Sequence, residues 1–203
     1  AVLGVWPANA QDDDVLIYSD EGRDRVLSKL CFLRQQREKT EVGAYMSLAD
    51  FIAPLDSGRP DWIGAFVVTA GSGVEEYAKS FDALHDDYSS IMAKALGDRI
   101  AEALAEMMHK KIREIWGYES ADEKLTIDDL IKEKYRGIRP APGYPACPDH
   151  TEKAKIWELL DAQKHTGAFL TENFAMSPAS TVSGLYFAPP GSHYFRVGDI
   201  QQD

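Results

Sequence analysis

The run Arg139-Pro140-Ala141-Pro142-Gly143-Tyr144-Pro145-Ala146-Cys147-Pro148-Asp149-His150-Thr151-Glu152-Lys153 sets how the rest of the chain is read. Its prolines at 140, 142, 145 and 148 each lack a backbone donor and hold φ near the polyproline II value. The segment is thereby excluded from helix and from the interior of a sheet, and its carbonyls need donors from elsewhere or from water. Gly143 stands where the backbone can turn sharply or admit a close approach. With Arg139 at one end and Tyr144 near the middle, the strip suits a small zwitterion. Carbonyls accept from an ammonium or amino group, the guanidinium takes a carboxylate, and the phenol stacks or hydrogen-bonds. The competing reading is a proline-rich surface loop with Arg139 solvated.

Outward from the strip, Asp149 reads as an N-cap and Glu152 as its capping-box partner, opening a helix through Ile156, Leu159, Leu160 and Gln163 that Gly167 closes. That gives both acids a structural role. A cysteine hydrolase built on Cys147 and His150 is a competing class, disfavoured because nothing supplies an orienting third group or an oxyanion hole. On the other side lies the longest element, a helix from about Asp86 to Trp116. Its apolar stripe of Met92, Leu96, Ile100, Ala103, Leu104, Met107 and Ile112 recurs at threes and fours and is expected to face the core. Asp98 and Glu102, one turn apart, are either a solvated acidic face or a site for a partner's group, with Lys94 and Arg99 as alternative partners within the helix. A short helix over 126–134 follows, with Asp128 and Asp129 in its first turn.

The two ends of the chain read as strands. Val2 to Trp6 and Val15 to Tyr18 form an antiparallel pair around a Pro7–Asp14 loop, and Leu27 to Leu33 is a further apolar stretch. Its polar continuation, Arg34 to Lys39, is a solvated helix end or a functional edge. Ser47 to Ile52 and the strongly strand-like Trp62 to Thr69 come next. Gly71-Ser72-Gly73 lacks the glycine pattern and the following Lys-Ser or Lys-Thr of a phosphate loop, so it is a turn before a helix. Leu170 to Met176, Ser183 to Ala188 and Tyr194 to Ile200 are the final strands, the last two joined by a turn at Pro189–Ser192. Strand-rich ends around a helical middle, linked by turns, make an α+β fold: a mainly antiparallel twisted sheet with segregated helices.

Bulk properties narrow the function classes. The chain has 203 residues, 44% hydrophobic and 27% charged, the profile of one globular domain spanning 1–203. A formal charge of −11 opposes nucleic acid and anionic membrane surfaces as partners. Cys31 and Cys147 make no metal-ligand spacing and suit a reducing, cytoplasmic setting. No apolar run is long enough to span a membrane, and no signal peptide is visible at the start.

The strip from Arg139 to Lys153 resembles the signature of the C-terminal activation domain of cobalamin-dependent methionine synthases. Leu33-Arg34-Gln35-Gln36 with Glu38-Lys39, His85-Asp86-Asp87-Tyr88, and Ser183-Gly184-Leu185-Tyr186-Phe187 followed by Tyr194-Phe195 match the same family, in order along nearly the whole chain. The resemblance implies a domain that binds S-adenosylmethionine and reactivates an oxidised corrinoid held by a neighbouring domain. It places the ligand at Arg139, Ala141, Gly143, Tyr144, Tyr194 and Phe195; if the domain caps a corrinoid-binding partner, the acids Asp98 and Glu102 are the candidate contact with the corrinoid or its domain. The resemblance implies no catalytic side chain and no metal here, zinc belonging to the remainder of the full-length enzyme. The implied partners are the cobalamin-binding domain of the same polypeptide and a flavodoxin or equivalent reductase, for whose docking Lys110, Lys111 and Arg113 are a candidate basic patch. Against the family, the start and extreme end of the domain are expected to be missing, and with them an acidic ligand contact. The alternative is a separate S-adenosylmethionine- or corrinoid-binding protein acting in trans on another methyltransferase.

Overall fold

The computed structural model describes residues 1–36, 43–119 and 125–198, and its centre is an antiparallel sheet of five strands. These are Val2–Gln11 (β1), Asp14–Tyr18 (β2), Val26–Cys31 (β3), Asp61–Thr69 (β4) and, after the two-residue strands Phe169–Leu170 (β5) and Met176–Ser177 (β6), Thr181–Tyr186 (β7). The order is β3-β2-β1-β4-β7, with β5 and β6 paired separately. The helices are Gly73–Asp82 (α1), Asp87–Trp116 (α2), Ile127–Ile131 (α3), Glu152–Leu160 (α4) and Ala162–Thr166 (α5). The antiparallel sheet with helices grouped in blocks is the α+β architecture expected from the pattern.

Alternation sorts the two faces of the sheet. Ile63, Ala65 and Val67 of β4 join Ala8, Val15, Ile17, Leu30 and Leu185 in one core, closed by Ile156, Trp157 and Leu160 of α4 and Ala162 of α5. Phe66 and Val68 look the other way and meet Tyr186, Ala105 and Ile112 beneath α2. β1 runs straight through Pro7 to Gln11, so the expected Pro7–Asp14 loop shrinks to Asp12 and Asp13, with Asp12 at φ 54 making the turn. Pairing with β2 begins only at Ala8, opposite Ile17, which leaves Pro7 outside that ladder.

Other expectations are corrected. Residues 47–52 form a single 3-10 turn, Leu48–Phe51, where Ser47 and Asp50 cap each other. Arg34 is not a solvated helix end, for its guanidinium holds Asp13 at 2.5 Å and Asp50 at 2.7 Å. Glu38 and Lys39 lie outside the described residues. The Asp149–Glu152 capping box is not formed. Asp149 accepts from the Thr151 N–H at 2.8 Å, and buried Glu152 reaches instead to the Cys31 N–H at 3.3 Å and Lys155 at 2.6 Å. Leu170–Met176 is a tight connection between β5 and β6 rather than one strand. Residues 194–198 carry no strand ladder, and Ile200 lies outside the described residues.

The reason for that last difference is that the edge of β7 is already taken. Ile138 and Phe187 exchange both backbone hydrogen bonds at 3.0 Å, and the Pro140 carbonyl accepts from Leu185 N–H at 2.9 Å. A proline can still accept, so the strip joins the edge strand with its carbonyls. It then leaves the ladder and folds through two turns: Tyr144 N–H donates to the Ala141 carbonyl at 3.2 Å, and Cys147 N–H to the Tyr144 carbonyl at 2.9 Å. The strip is thus extended only at its start.

The largest correction concerns α2. Leu96, Ile100 and Met107 are 56, 59 and 58% exposed, so most of the expected stripe faces outward and only Ile112 of it is fully buried. The face against the sheet is the row Gly97, Ala101, Ala105, His109 and Arg113, each four residues on from the last. Small residues bring the helix axis close to its neighbours. A Cβ on Gly97 would stand 2.6 Å from Val74 Cγ1 and 2.8 Å from Ser180 Oγ.

Gly184 on β7 shows the same tightness where the strip docks. A methyl there would lie 2.9 Å from Phe66 Cε1 and 3.0 Å from the Pro140 carbonyl oxygen. Gly184→Ala is expected to cost on the order of 1–3 kcal/mol of stability by overpacking. Thermal unfolding should show Tm lower by about 2–4 °C for each kcal/mol; an unchanged Tm would mean that the strip yields without cost.

Candidate functional site

The strip, β7 and the segment after it enclose a cavity of about 530 Å³. This lies within the range that holds small organic ligands. Arg139, Ala141, Gly143, Tyr144, Tyr194 and Phe195 all line it. Sequence reasoning named those six; the fold adds Glu102, His150, Lys153, Met176, Ser183 and Arg196 to the wall. Asp98, one turn before Glu102, faces a different hollow with Lys79, Asp82 and Lys94. Lys94 pairs with Asp82 at 3.9 Å, and neither Asp98 nor Glu102 has an ion-pair partner among the described residues. No group of three or more His, Cys, Asp or Glu suited to a metal occurs among them either.

The strip positions its residues by backbone bonds. Gly143 takes φ +95 and donates to the Cys147 carbonyl at 2.7 Å, a conformation that a side chain would strain. The Tyr194 hydroxyl accepts from the Arg139 N–H at 3.1 Å, which ties the post-β7 segment to the strip. Val197 N–H donates to the Pro145 carbonyl at 2.9 Å and closes the other side. Burial pushes the Tyr194 phenol up, the Arg139 N–H working against it, so it stays a neutral hydroxyl with an aromatic face.

Arg139 is not a free guanidinium. Its Nη1 lies 2.8 Å from Glu106 Oε2, donates to the Tyr135 hydroxyl and stands 3.3 Å from His109 Nδ1, while Nη2 is 3.8 Å from Glu133. Tyr135 in turn donates to Glu106 at 3.1 Å. Since a guanidinium only donates, His109 accepts at Nδ1 and carries its proton on Nε2. The His109 ring is stacked on Tyr186 at 5.2 Å and meets Tyr135 edge-on at 5.0 Å. Behind it, fully buried Arg113 pairs with Glu119 and lies 3.9 Å under the Tyr135 ring. Burial and then the charges of Arg113 and Arg139 hold the His109 pKa down at about 2.

This buried network of Glu106, His109, Arg113 and Tyr135 escaped the sequence reading. Its signal was the four-residue spacing of Gly97, Ala101, Ala105, His109 and Arg113, in which the polar residues continue a row of small ones. A stripe chosen by hydrophobicity alone passes over it. The same geometry takes Arg113 out of the candidate docking patch, since it is fully buried, while Lys110 and Lys111 stay at the surface and share Glu114 at 3.5 and 3.8 Å. The Cys147 thiol is buried and pushed up to about 12, the reverse of an activated nucleophile.

The chain is similar throughout to one family. The family model described as vitamin B12 dependent methionine synthase, activation domain, matches residues 1–203. Among solved structures, the crystal structure of the MetH reactivation domain bound to AdoHcy superposes with a TM-score of 0.93 at 55% sequence identity, over 98% of this chain and 61% of that one. This chain therefore spans less than two thirds of that neighbour's length.

His109 gives the site a pH signature. Its folded pKa lies below its unfolded value, so the unfolded chain binds the additional proton as pH falls. The stability associated with the neutral imidazole is complete above about 6.5 and is lost progressively as pH falls from there toward about 2. Urea unfolding between roughly pH 7 and 5 should lose up to about 1.4 kcal/mol per pH unit below the unfolded pKa, and His109→Gln should flatten the slope. An identical slope in the variant would show that His109 titrates freely in the folded state.

Proposed function

The chain belongs to the vitamin B12-dependent methionine synthase activation-domain family, and on that premise we propose that its cavity binds S-adenosylmethionine and AdoHcy, to position the methyl donor for reactivation of a cobalamin held by a neighbouring domain. The observation that carries this is convergence: the six residues implied as ligand contacts, drawn from two stretches about fifty positions apart in sequence, line one cavity of about 530 Å³. A relative of the same fold with AdoHcy bound supports it.

The roles follow from the geometry. Arg139 donates to the ligand's carboxylate from a guanidinium held in place by Glu106 and Tyr135. Its charge is already balanced on the far side, which lowers its repulsion of a sulfonium nearby. The turns at Ala141 and Gly143 present backbone groups to the amino and adenine functions, and the face of Tyr194 attracts the sulfonium. Phe195 and Met176 exclude water. A cobalamin, when docked, supplies the methyl acceptor. Once a reductase had supplied the electron that makes that acceptor nucleophilic, methyl transfer would leave the sulfonium as a neutral thioether with no proton moved, so this chain would contribute binding and orientation rather than an acid or a base. Whatever methyltransferase activity the whole protein has thus depends on more than this domain.

Asp98 and Glu102, exposed and without ion-pair partners among the described residues, suit contact with the corrin amides or the cobalamin domain. A flavodoxin or equivalent reductase as electron donor, and a cytoplasmic setting, belong to the same reading. No helix among the described residues is long and apolar enough to cross a membrane. Nothing in the geometry favours action in trans over this arrangement.

The test is isothermal titration of this chain with AdoHcy and with S-adenosylmethionine, for which saturable one-to-one binding is expected. Arg139→Ala should weaken both by roughly ten- to a hundredfold, the loss of a charge-assisted bond. It should also lower Tm, because Glu106 is left without its cation. Arg139→Lys separates the two effects, keeping the charge beside Glu106 but not the fork that recognises a carboxylate. No saturable heat with either ligand would overturn the proposal.

A further inference from the structure

Lys153 is the buried cation in the cavity wall that no carboxylate neutralises among the described residues; Arg196, which also lacks an ion pair there, is exposed. Lys153 is only 6% exposed, near the start of α4. Its ammonium donates to the Phe174 carbonyl at 3.1 Å and lies 2.8 Å from His150 Nδ1, which must accept because an ammonium has only donors. Three N–H groups are available and two are used. Both partners are held with some strain or close fit. Phe174 takes φ 58, in the left-handed region that bulky residues avoid. The His150 ring sits so close on Gly143 that a Cβ there would fall 2.4 Å from Cε1. A buried ammonium with one unspent donor and no counter-ion is costly unless something in the cavity accepts from it. Burial alone acts on it and lowers its pKa from the usual lysine value.

Lys153 also stands apart from Arg139 along the cavity. Ile138 pairs with Phe187 and the Pro140 carbonyl accepts from Leu185, which sets Arg139 alongside Tyr186 on β7. The hairpin that carries Phe174 is anchored further along β7, where Ser183 Oγ donates to Met176 Sδ at 3.4 Å. Three residues of strand separate the two places, roughly 10 Å.

We propose that Lys153, oriented by His150 and Phe174, is a ligand-contacting specificity residue that donates its third hydrogen bond to an acceptor on the adenosine half of the ligand, a ring nitrogen or a ribose hydroxyl. The inference rests on the function proposed above, in which Arg139 takes the carboxylate at the other end.

The experiment titrates wild type, Lys153→Met, Lys153→Arg and Arg139→Lys with AdoHcy and with methylthioadenosine, which keeps the adenosine half but has no amino-acid group. Lys153→Met should weaken both ligands by the same factor, about tenfold or more for a charge-assisted bond. Arg139→Lys should weaken AdoHcy alone, and Lys153→Arg should keep much of the affinity. Methylthioadenosine binding unchanged in Lys153→Met overturns the inference. In that case a selective loss of AdoHcy assigns Lys153 to the carboxylate, and no loss at all makes it a tether for Phe174. Absence of AdoHcy binding by wild type removes the proposed function itself and this inference with it. Should Lys153→Met unfold, wild type is titrated with deaza and deoxy forms of methylthioadenosine. One of them should bind at least about tenfold more weakly than the parent, and a uniform set overturns the proposal.

Discussion

A chain segment that can accept backbone hydrogen bonds but hardly donate them has few places to go, and here it goes to the edge of a sheet. Ile138 exchanges two bonds with Phe187, and Pro140 offers its carbonyl to Leu185. That docking fixes where Arg139 begins, where the turns at Ala141 and Gly143 fall and therefore where the cavity lies. It also displaces the residues after β7 from the edge they would otherwise join. They cross over the strip instead, tied by the Tyr194 hydroxyl and the Val197 N–H. Gly184 makes the close approach possible from the sheet side, and Gly137, at φ +94 with the Phe187 carbonyl oxygen 2.8 Å from where its Cβ would be, does so from the strip side.

The second constraint is the long helix. α2 puts its small residues against the sheet and then, along the same row, His109 and Arg113. Burying charge costs stability unless it is paired and hydrogen-bonded. The chain meets the pairing with Glu119 for Arg113 and with Glu106, Tyr135 and His109 around Arg139, but both Arg113 Nη atoms and His109 Nε2 find no hydrogen-bond partner among the described residues. The network links the back of α2 to the cavity wall, so the Arg139 guanidinium is held by Glu106 and His109 of the helix together with Tyr135 and Glu133 of the segment before the strip. The apolar residues at Leu96, Ile100 and Met107 are left on the outside of the same helix.

The cavity is electrostatically two-ended. Arg139 is balanced by Glu106 behind it, whereas Lys153 has a carbonyl and an imidazole for partners and no carboxylate. The cation at the strip, Arg139, is already neutralised, Lys153 is buried without a carboxylate and set apart along β7, and Arg196 is exposed. Such a site holds a ligand by shape, backbone groups and a few charge-assisted bonds, which is what positioning a methyl donor requires.

What the sequence by itself determined was local. The bounds of α2, about Asp86 to Trp116, follow from helical spacing, and β4 from its branched and aromatic residues. Antiparallel architecture followed from strands joined by turns, and the family from motifs in order. The six implied ligand contacts were legible only because Arg139 to Tyr144 and Tyr194-Phe195 carried that resemblance. What only the tertiary structure decided were matters of which surface meets which. Hydrophobicity counted along a helix cannot reveal that the buried face of α2 carries small side chains at Gly97, Ala101 and Ala105, with Val74 and Ser180 crowding Gly97, so that face was read on the wrong side. Nor does a lone Glu106 announce itself, because its role depends on an arginine thirty-three residues away in sequence and 2.8 Å away in space. Glu152 looked like a cap for the same reason: sequence shows a residue's neighbours along the chain, while burial and charge pairing are settled by neighbours across it.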